Sequence, residues 1–183
     1  FAIEKVAHRT KLIIGTSSMV ANEIVSFKVG YLMGEPVQYV SRKDDTAITE
    51  AVTLLNDYTL SEDKPSADAE LAEWWHICGT SYRMVLPDGE ANVEEDEAPF
   101  EIFTLDPRFA FVVYSVALGN PAMMGVKYIL RDDGVLVFSC YTEDHYFEVE
   151  NTWRIRRSED QILGIPIIEY PANKSRLGAF EIV

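Results

Sequence analysis

ICGTSYRMVLPDG, residues 77–89, is the stretch where the chain changes its period. Just upstream, Leu71, Trp74, Trp75 and Cys78 recur at helical steps, in a helix predicted to begin near Ser66, and Gly79 closes it. From Thr80 the step becomes two: Tyr82, Met84 and Leu86 alternate with Ser81, Arg83 and Val85. Pro87-Asp88-Gly89 then turns the chain, the proline presetting φ, the aspartate bonding its own backbone and the glycine taking positive φ. Helices before this point and strands after it define an α+β class, with N-terminal helices packed on a mainly antiparallel β-sheet. A helix running straight into a strand makes 1–183 one continuous unit, mainly helical over 1–79 and mainly β over 80–183.

Toward the N-terminus, NEIVSFKVGYLMGEPVQY (22–39) predicts a helix with Val20, Ile24, Phe27 and Tyr31 on one buried stripe. Gly34 is expected to close it in the left-handed conformation, and Pro36 forbids its continuation. The chain then leaves extended through Val37 and Tyr39. Ser17 or Ser18 is the expected cap, and Phe1 to Ile14 reads as weakly helical or extended. After the polar turn Ser41 to Asp45, a second helix capped by Asp45 places Ile48, Val52 and Leu55 on one face, and Ser61 to Pro65 breaks it. Trp74 and Trp75 are adjacent on the third helix and cannot face the same way, so one addresses a second surface or core layer.

Toward the C-terminus, strands are expected at Phe100 to Thr104, Phe109 to Tyr114, Met124 to Leu130, Val135 to Tyr141 and Tyr146 to Glu150. Trp153 to Arg156 continues the meander before a polar break at Arg157 to Asp160. Asp132-Asp133-Gly134 is a hairpin signal. In the last strand, Gly164 to Tyr170, Pro166 suits an edge or a strand start. Short connections favour antiparallel pairing.

The length of 183 residues suffices for a real core, burying roughly 70% of the unfolded surface. No apolar run approaches the ~20 residues of a membrane span. The start lacks both an initiator Met and the order of a signal peptide, and LGAFEIV lacks a polar tail, so both ends read as cuts within a longer protein. Cys78 and Cys140 are expected to be free thiols, as in a reducing cytoplasm, and the sequon Asn173-Lys174-Ser175 reads as chance. The net charge of −14 is carried by one segment: Asp44 to Glu101 holds 16 acidic residues against Lys64 and Arg83 alone, and the remainder is balanced. Such a surface is expected to face outward and to repel phosphate backbones, which argues against a sequence-reading DNA binder.

No catalytic constellation assembles, and the catalytic, cofactor-binding and metal sites are each expected to be none. His8, His76 and His145 are the only histidines, and His76 two before Cys78 finds no second ligand pair. Asp144-His145 falls at a predicted turn with no nucleophile nearby. The run Asp88, Glu90, Glu94, Glu95, Asp96, Glu97 lacks the glycine and terminal glutamate of a calcium loop and reads as an exposed hairpin loop. There is no phosphate-cradling or dinucleotide glycine motif. Arg154, Arg156 and Arg157, bordered by Glu159 and Asp160, read as a solvated strand end rather than a nucleic-acid patch.

Four strings in order carry a resemblance: GYLMGEPVQY (30–39), ICGTSYRMV (77–85), LDPRFAFVVY (105–114) and ILGIPIIEYPANKSRLGAFE (162–181). Together they resemble the portal proteins of tailed double-stranded-DNA bacteriophages, in the branch typified by Gram-positive siphophages. The resemblance implies a structural protein: a subunit of a ring, usually dodecameric, at one capsid vertex, through which terminase pumps DNA and which later joins head to tail. It matches the wing portion before the stem, so stem, clip and crown are expected to lie outside this chain. It further implies capsid, terminase and head-tail connector proteins as partners, no membrane, no cofactor, and double-stranded DNA that passes through without being read. Location would be the portal vertex of the virion after assembly in the host bacterial cytoplasm. This fragment alone is expected to be a monomer or weak oligomer. The alternative is a small α+β hydrolase or metal-dependent enzyme sharing these strings.

Overall fold

A computed structural model of the chain describes residues 18–42, 46–91, 97–161 and 164–171. The segment Phe1 to Ile14, the capping side chains of Ser17 or Ser18 and of Asp45, most of the acidic loop, His8 and the Asn173 sequon lie outside the described residues. Among the described residues, three helices come first: α1 Ser18–Met33, α2 Thr46–Ser61 and α3 Lys64–Cys78. Eight strands follow: β1 Thr80–Pro87, β2 Phe100–Leu105, β3 Ala110–Tyr114, β4 Ala122–Leu130, β5 Leu136–Tyr141, β6 His145–Glu150, β7 Ile155–Asp160 and β8 Ile167–Pro171. The α+β arrangement therefore holds, with the helices preceding the strands.

Gly79 closes α3 as expected, at φ 75°, its N–H donating to Trp75 O at 3.0 Å. The α2–α3 break is narrower than the sequence suggested. Asp63 adopts φ 47°, and Pro65 belongs to the first turn of α3, where a missing N–H loses no intrahelical bond.

The strands form two antiparallel sheets rather than one. The meander β3-β4-β5-β6-β7 is a five-stranded sheet, while β1 sits between β2 and β8 in a three-stranded sheet. The pairing of β1 with β8 joins Met84 to Ile167 and Thr80 to Pro171 across the whole β region. As expected, Pro166 precedes an edge strand.

Ser81, Tyr82, Arg83 and Met84 are all buried in succession, so the start of β1 is covered on both faces. Tyr82 and Met84 face the five-stranded sheet in a core with Ala110, Tyr141 and Ile167. Ser81 and Arg83 face the helices, with α3 lying across β1 and β2. Full burial of Met84 is worth roughly 1.5–3 kcal/mol. The two sheets approach closely at Gly125, where a Cβ would stand 2.9 Å from Ile167 Cβ.

Three further expectations are corrected. Arg157 to Asp160 is no break but most of β7, an edge strand exposed at every position, where charged side chains replace an apolar face. Trp153 lies outside it, in a turn at φ 61°. Gly34 and Gly89 do not take positive φ. At Gly34 the requirement is steric, since a Cβ would stand 2.5 Å from Gly30 O.

Candidate functional site

The largest correction concerns α1. Val20, Ile24, Phe27 and Tyr31 are not buried but exposed, Phe27 by 75% and Tyr31 by 81%. The helix lies against α3, and its half-buried residues are Val25, Val29 and Met33, a stripe about one residue step around the axis. Both stripes are apolar, so periodicity alone could not choose between them. The inner stripe of narrower side chains lets the helices approach, leaving Ile24, Phe27 and Tyr31 as a ridge whose two rings stack 6.5 Å apart.

Beneath the end of α1 is a polar-floored cavity of about 650 Å³. Lys64, Asp68, Leu71, Ala72 and Trp75 line it from α3, at steps of four, three, one and three that keep them on one helix face. Ser81 and Arg83 come from β1, with Ile168 and Tyr170 of β8, their register partners Arg83↔Ile168 and Ser81↔Tyr170 sharing that face. Met33, Val37 and Tyr39 add to the wall, and Glu169 and Pro171 also border it. The segment carrying Tyr39 is pinned to α2 by Asn56, which accepts from Tyr39 N at 2.9 Å and donates to Tyr39 O at 3.0 Å.

Asp68 bridges two buried cations, Lys64 Nζ at 2.5 Å and Arg83 Nη2 at 2.6 Å, with side chains at most 10% exposed. The Arg83 pair is close but lacks hydrogen-bond geometry: Arg83 Nε and Nη2, Ser81 Oγ and Trp75 Nε1 are buried without a hydrogen-bond partner. The only two cations of the acidic segment thus both lie beside Asp68, its one buried carboxylate among the described residues. Its other described acidic residues are exposed or partly so.

On the opposite face of β1–β8, Glu169 accepts hydrogen bonds from Thr80 Oγ1 at 3.1 Å, Tyr82 OH at 3.2 Å and Tyr114 OH at 2.7 Å. Burial, the donated hydrogen bond and the nearby carboxylate push the Tyr114 hydroxyl far above its ordinary pKa. This cluster ties β8, β1 and β3 together, and so joins the two sheets.

The remaining residues singled out in the sequence do not converge. Trp74 is covered by the Arg108 guanidinium at 5.4 Å, whereas Trp75 turns into the cavity. His76 packs beside Trp75 at 5.5 Å, and Cys78 and Cys140 are free thiols. Partial burial and then the Asp106 carboxylate push the Cys78 thiol up, away from the nucleophilic thiolate. His145 lies between Asp144 at 2.8 Å and Asp160 at 3.3 Å, in a turn whose Thr142 hydroxyl accepts from His145 N. The Asp144 hydrogen bond raises the His145 pKa, and Thr142, Glu143 and Ser158 are its neighbours in a shallow groove. Arg157 is held by Glu159 through two bonds of 2.7 and 2.8 Å and Arg156 by Glu150 at 3.4 Å, so both face local carboxylates. Among the described residues, no group of three or more His, Cys, Asp or Glu is placed to hold a metal ion, and no helix is long and apolar enough to cross a membrane.

Sequence reading missed the cavity and the Glu169 cluster, because each draws on residues some 90 positions apart. The one available signal was charge: a buried strand pattern that contains Arg83 demands a partner.

A family model described as "Phage portal protein, SPP1 Gp6-like" matches residues 15–183. No curated protein matches the chain.

Proposed function

The chain belongs to the SPP1 Gp6-like family of phage portal proteins, and on that premise we propose that it is the wing domain of a portal subunit, acting through assembly rather than catalysis. The family is structural, its members being virion components of the head-tail connector that serve DNA packaging. In the finer reading, full-length subunits form a ring, dodecameric by expectation, through which double-stranded DNA is packaged and ejected. Terminase, capsid and connector proteins are its partners, and assembly takes place in the host bacterial cytoplasm before the ring occupies the portal vertex. The 183-residue chain by itself is a monomer or weak oligomer.

One observation carries the assembly reading: the exposed ridge Ile24, Phe27, Tyr31 on a domain of net charge −14. Water-facing aromatic ridges of this kind mark contact surfaces. A ring needs a heterologous contact, one patch of each copy against a different patch of the next, and the ridge supplies one such patch. Negative-stain microscopy of the full-length portal tests this, with Phe27→Asp as the perturbation. Rings with a central hole are expected for the parent and their loss for the variant, whose circular dichroism is unchanged. Intact rings in the folded variant would refute the role of the ridge, and the absence of rings in the parent would refute the ring itself.

A further inference from the structure

We propose that the cavity between α3, the end of α1 and the β1–β8 floor is a binding site for a carboxylate carried on an apolar stem. The unsatisfied groups set the polarity of the ligand. Arg83, 8% exposed, has Nε without a partner, and its Nη2 meets Asp68 only as an ion pair; Ser81 Oγ and Trp75 Nε1 are likewise buried and unpartnered. Arg83 and Trp75 offer only N–H groups and Ser81 a hydroxyl that can donate, so what they meet must accept.

Charge narrows the ligand further. Lys64 and Arg83 against Asp68 leave one positive charge. Glu169 also borders the cavity, but it is the register partner of Tyr82, and its carboxylate is engaged on the opposite sheet face by Tyr82 and Tyr114. One excess positive charge complements a monoanion. A guanidinium can span a planar carboxylate through two parallel N–H groups, and on Arg83 both Nε and Nη2 lack a hydrogen-bond partner, Nη2 lying 2.6 Å from Asp68. Met33, Val37, Leu71 and Ala72 supply an apolar wall for the stem. A nucleic-acid phosphate does not fit, since its backbone cannot reach a guanidinium nine-tenths buried. The volume lies within the usual range for a small-ligand site. Two sources share this chemistry: a free aliphatic or aryl acid, and an Asp or Glu side chain of a second copy of this chain. The site is built within one subunit and stands apart from the ring reading.

Trp75 is the reporter. In the full chain carrying Trp74→Phe and Trp153→Phe it is the only one of the three tryptophans left, and its fluorescence is followed while phenylacetate or, separately, 2-phenylethanol is added. The acid is expected to give a saturable change, with the alcohol at least roughly tenfold weaker because it lacks the charge. Arg83→Met should weaken the acid by at least about tenfold. Ser81→Ala removes a hydroxyl that has no partner, so it leaves the fold intact and still weakens the acid severalfold; it carries the test if Arg83→Met does not fold. Sedimentation separates the sources. Acid binding without change in sedimentation indicates a free ligand, whereas acid that dissociates a self-associated chain, as Arg83→Met also does, indicates a neighbour's carboxylate; both support the site. No saturable change, equal binding of acid and alcohol, or full affinity in Ser81→Ala overturns it.

Discussion

Replacing Asp68 with Asn tests the buried ion cluster most directly. The substitution preserves shape and removes the one charge that Lys64 Nζ and Arg83 Nη2 share at 2.5 and 2.6 Å. At an effective dielectric of about 20, each opposite pair with charge centres near 4 Å is worth about 4 kcal/mol, offset in the parent by the desolvation of three ions. In the variant that offset remains while the attraction vanishes, and two like charges face each other. Breaking buried pairs costs about 3–5 kcal/mol, a large share of a total stability of about 5–15 kcal/mol. With a urea slope of about 2 kcal/mol per molar, the unfolding midpoint followed by tryptophan fluorescence should fall by roughly 2 M. Asp106→Asn is the control: its partner Arg108 is 68% exposed at the side chain, and the loss should stay below about 1 kcal/mol. Replacing Lys64, Asp68 and Arg83 together by apolar residues of similar volume should recover most of the stability. A loss below about 1 kcal/mol for Asp68→Asn would refute the reasoning, because the cluster would then be solvated rather than buried.

Two alanine substitutions four residues apart should have opposite signs. Gly34→Ala meets Gly30 O at 2.5 Å and should destabilise by about 1–3 kcal/mol, whereas Gly30→Ala meets nothing within 4 Å in a helix interior and should stabilise by about 0.5–1 kcal/mol; equal signs in thermal unfolding would count against the described end of α1. Gly125→Ala forces a methyl against Ile167 Cβ at 2.9 Å and Ile165 Cγ2 at 3.0 Å, and should cost about 1–3 kcal/mol by urea unfolding; a neutral result would mean that the two sheets are not in contact there. The folded-state pKa of His145 is raised, by Asp144 first, so its stabilisation is fully present below the unfolded value of about 6.5 and is lost as pH rises through the folded value. An NMR titration should place its midpoint above about 6.5 and Asp144→Asn should lower it, while an unperturbed midpoint would exclude the contact.

Local signals in the sequence were read correctly wherever one residue decides the backbone. Gly79 ends α3 because only glycine takes φ 75° without strain, and Asp133 with Gly134 turns the β4–β5 hairpin, the Asp133 carboxylate accepting from Val135 N at 3.1 Å. The α+β order, the antiparallel meander and the portal resemblance were legible for the same reason: they rest on short windows and on their sequence order. Where two answers satisfied the same window, the reading failed. The α1 helix is apolar on adjacent stripes, and β7 is charged along its length because it is an edge; neither pattern states which neighbour will cover it.

Sequence alone thus determined that residues 77–89 are a helix end followed by a strand. Only the tertiary structure decided that this strand would be covered on both faces, with Tyr82 and Met84 in the core and Ser81 and Arg83 under α3. Alternation in a strand assigns side chains to two faces, but what lies on each depends on β8 returning from about 85 residues away to complete the floor. Burial is a property of the pair of surfaces that meet, and one strand carries only half of that information.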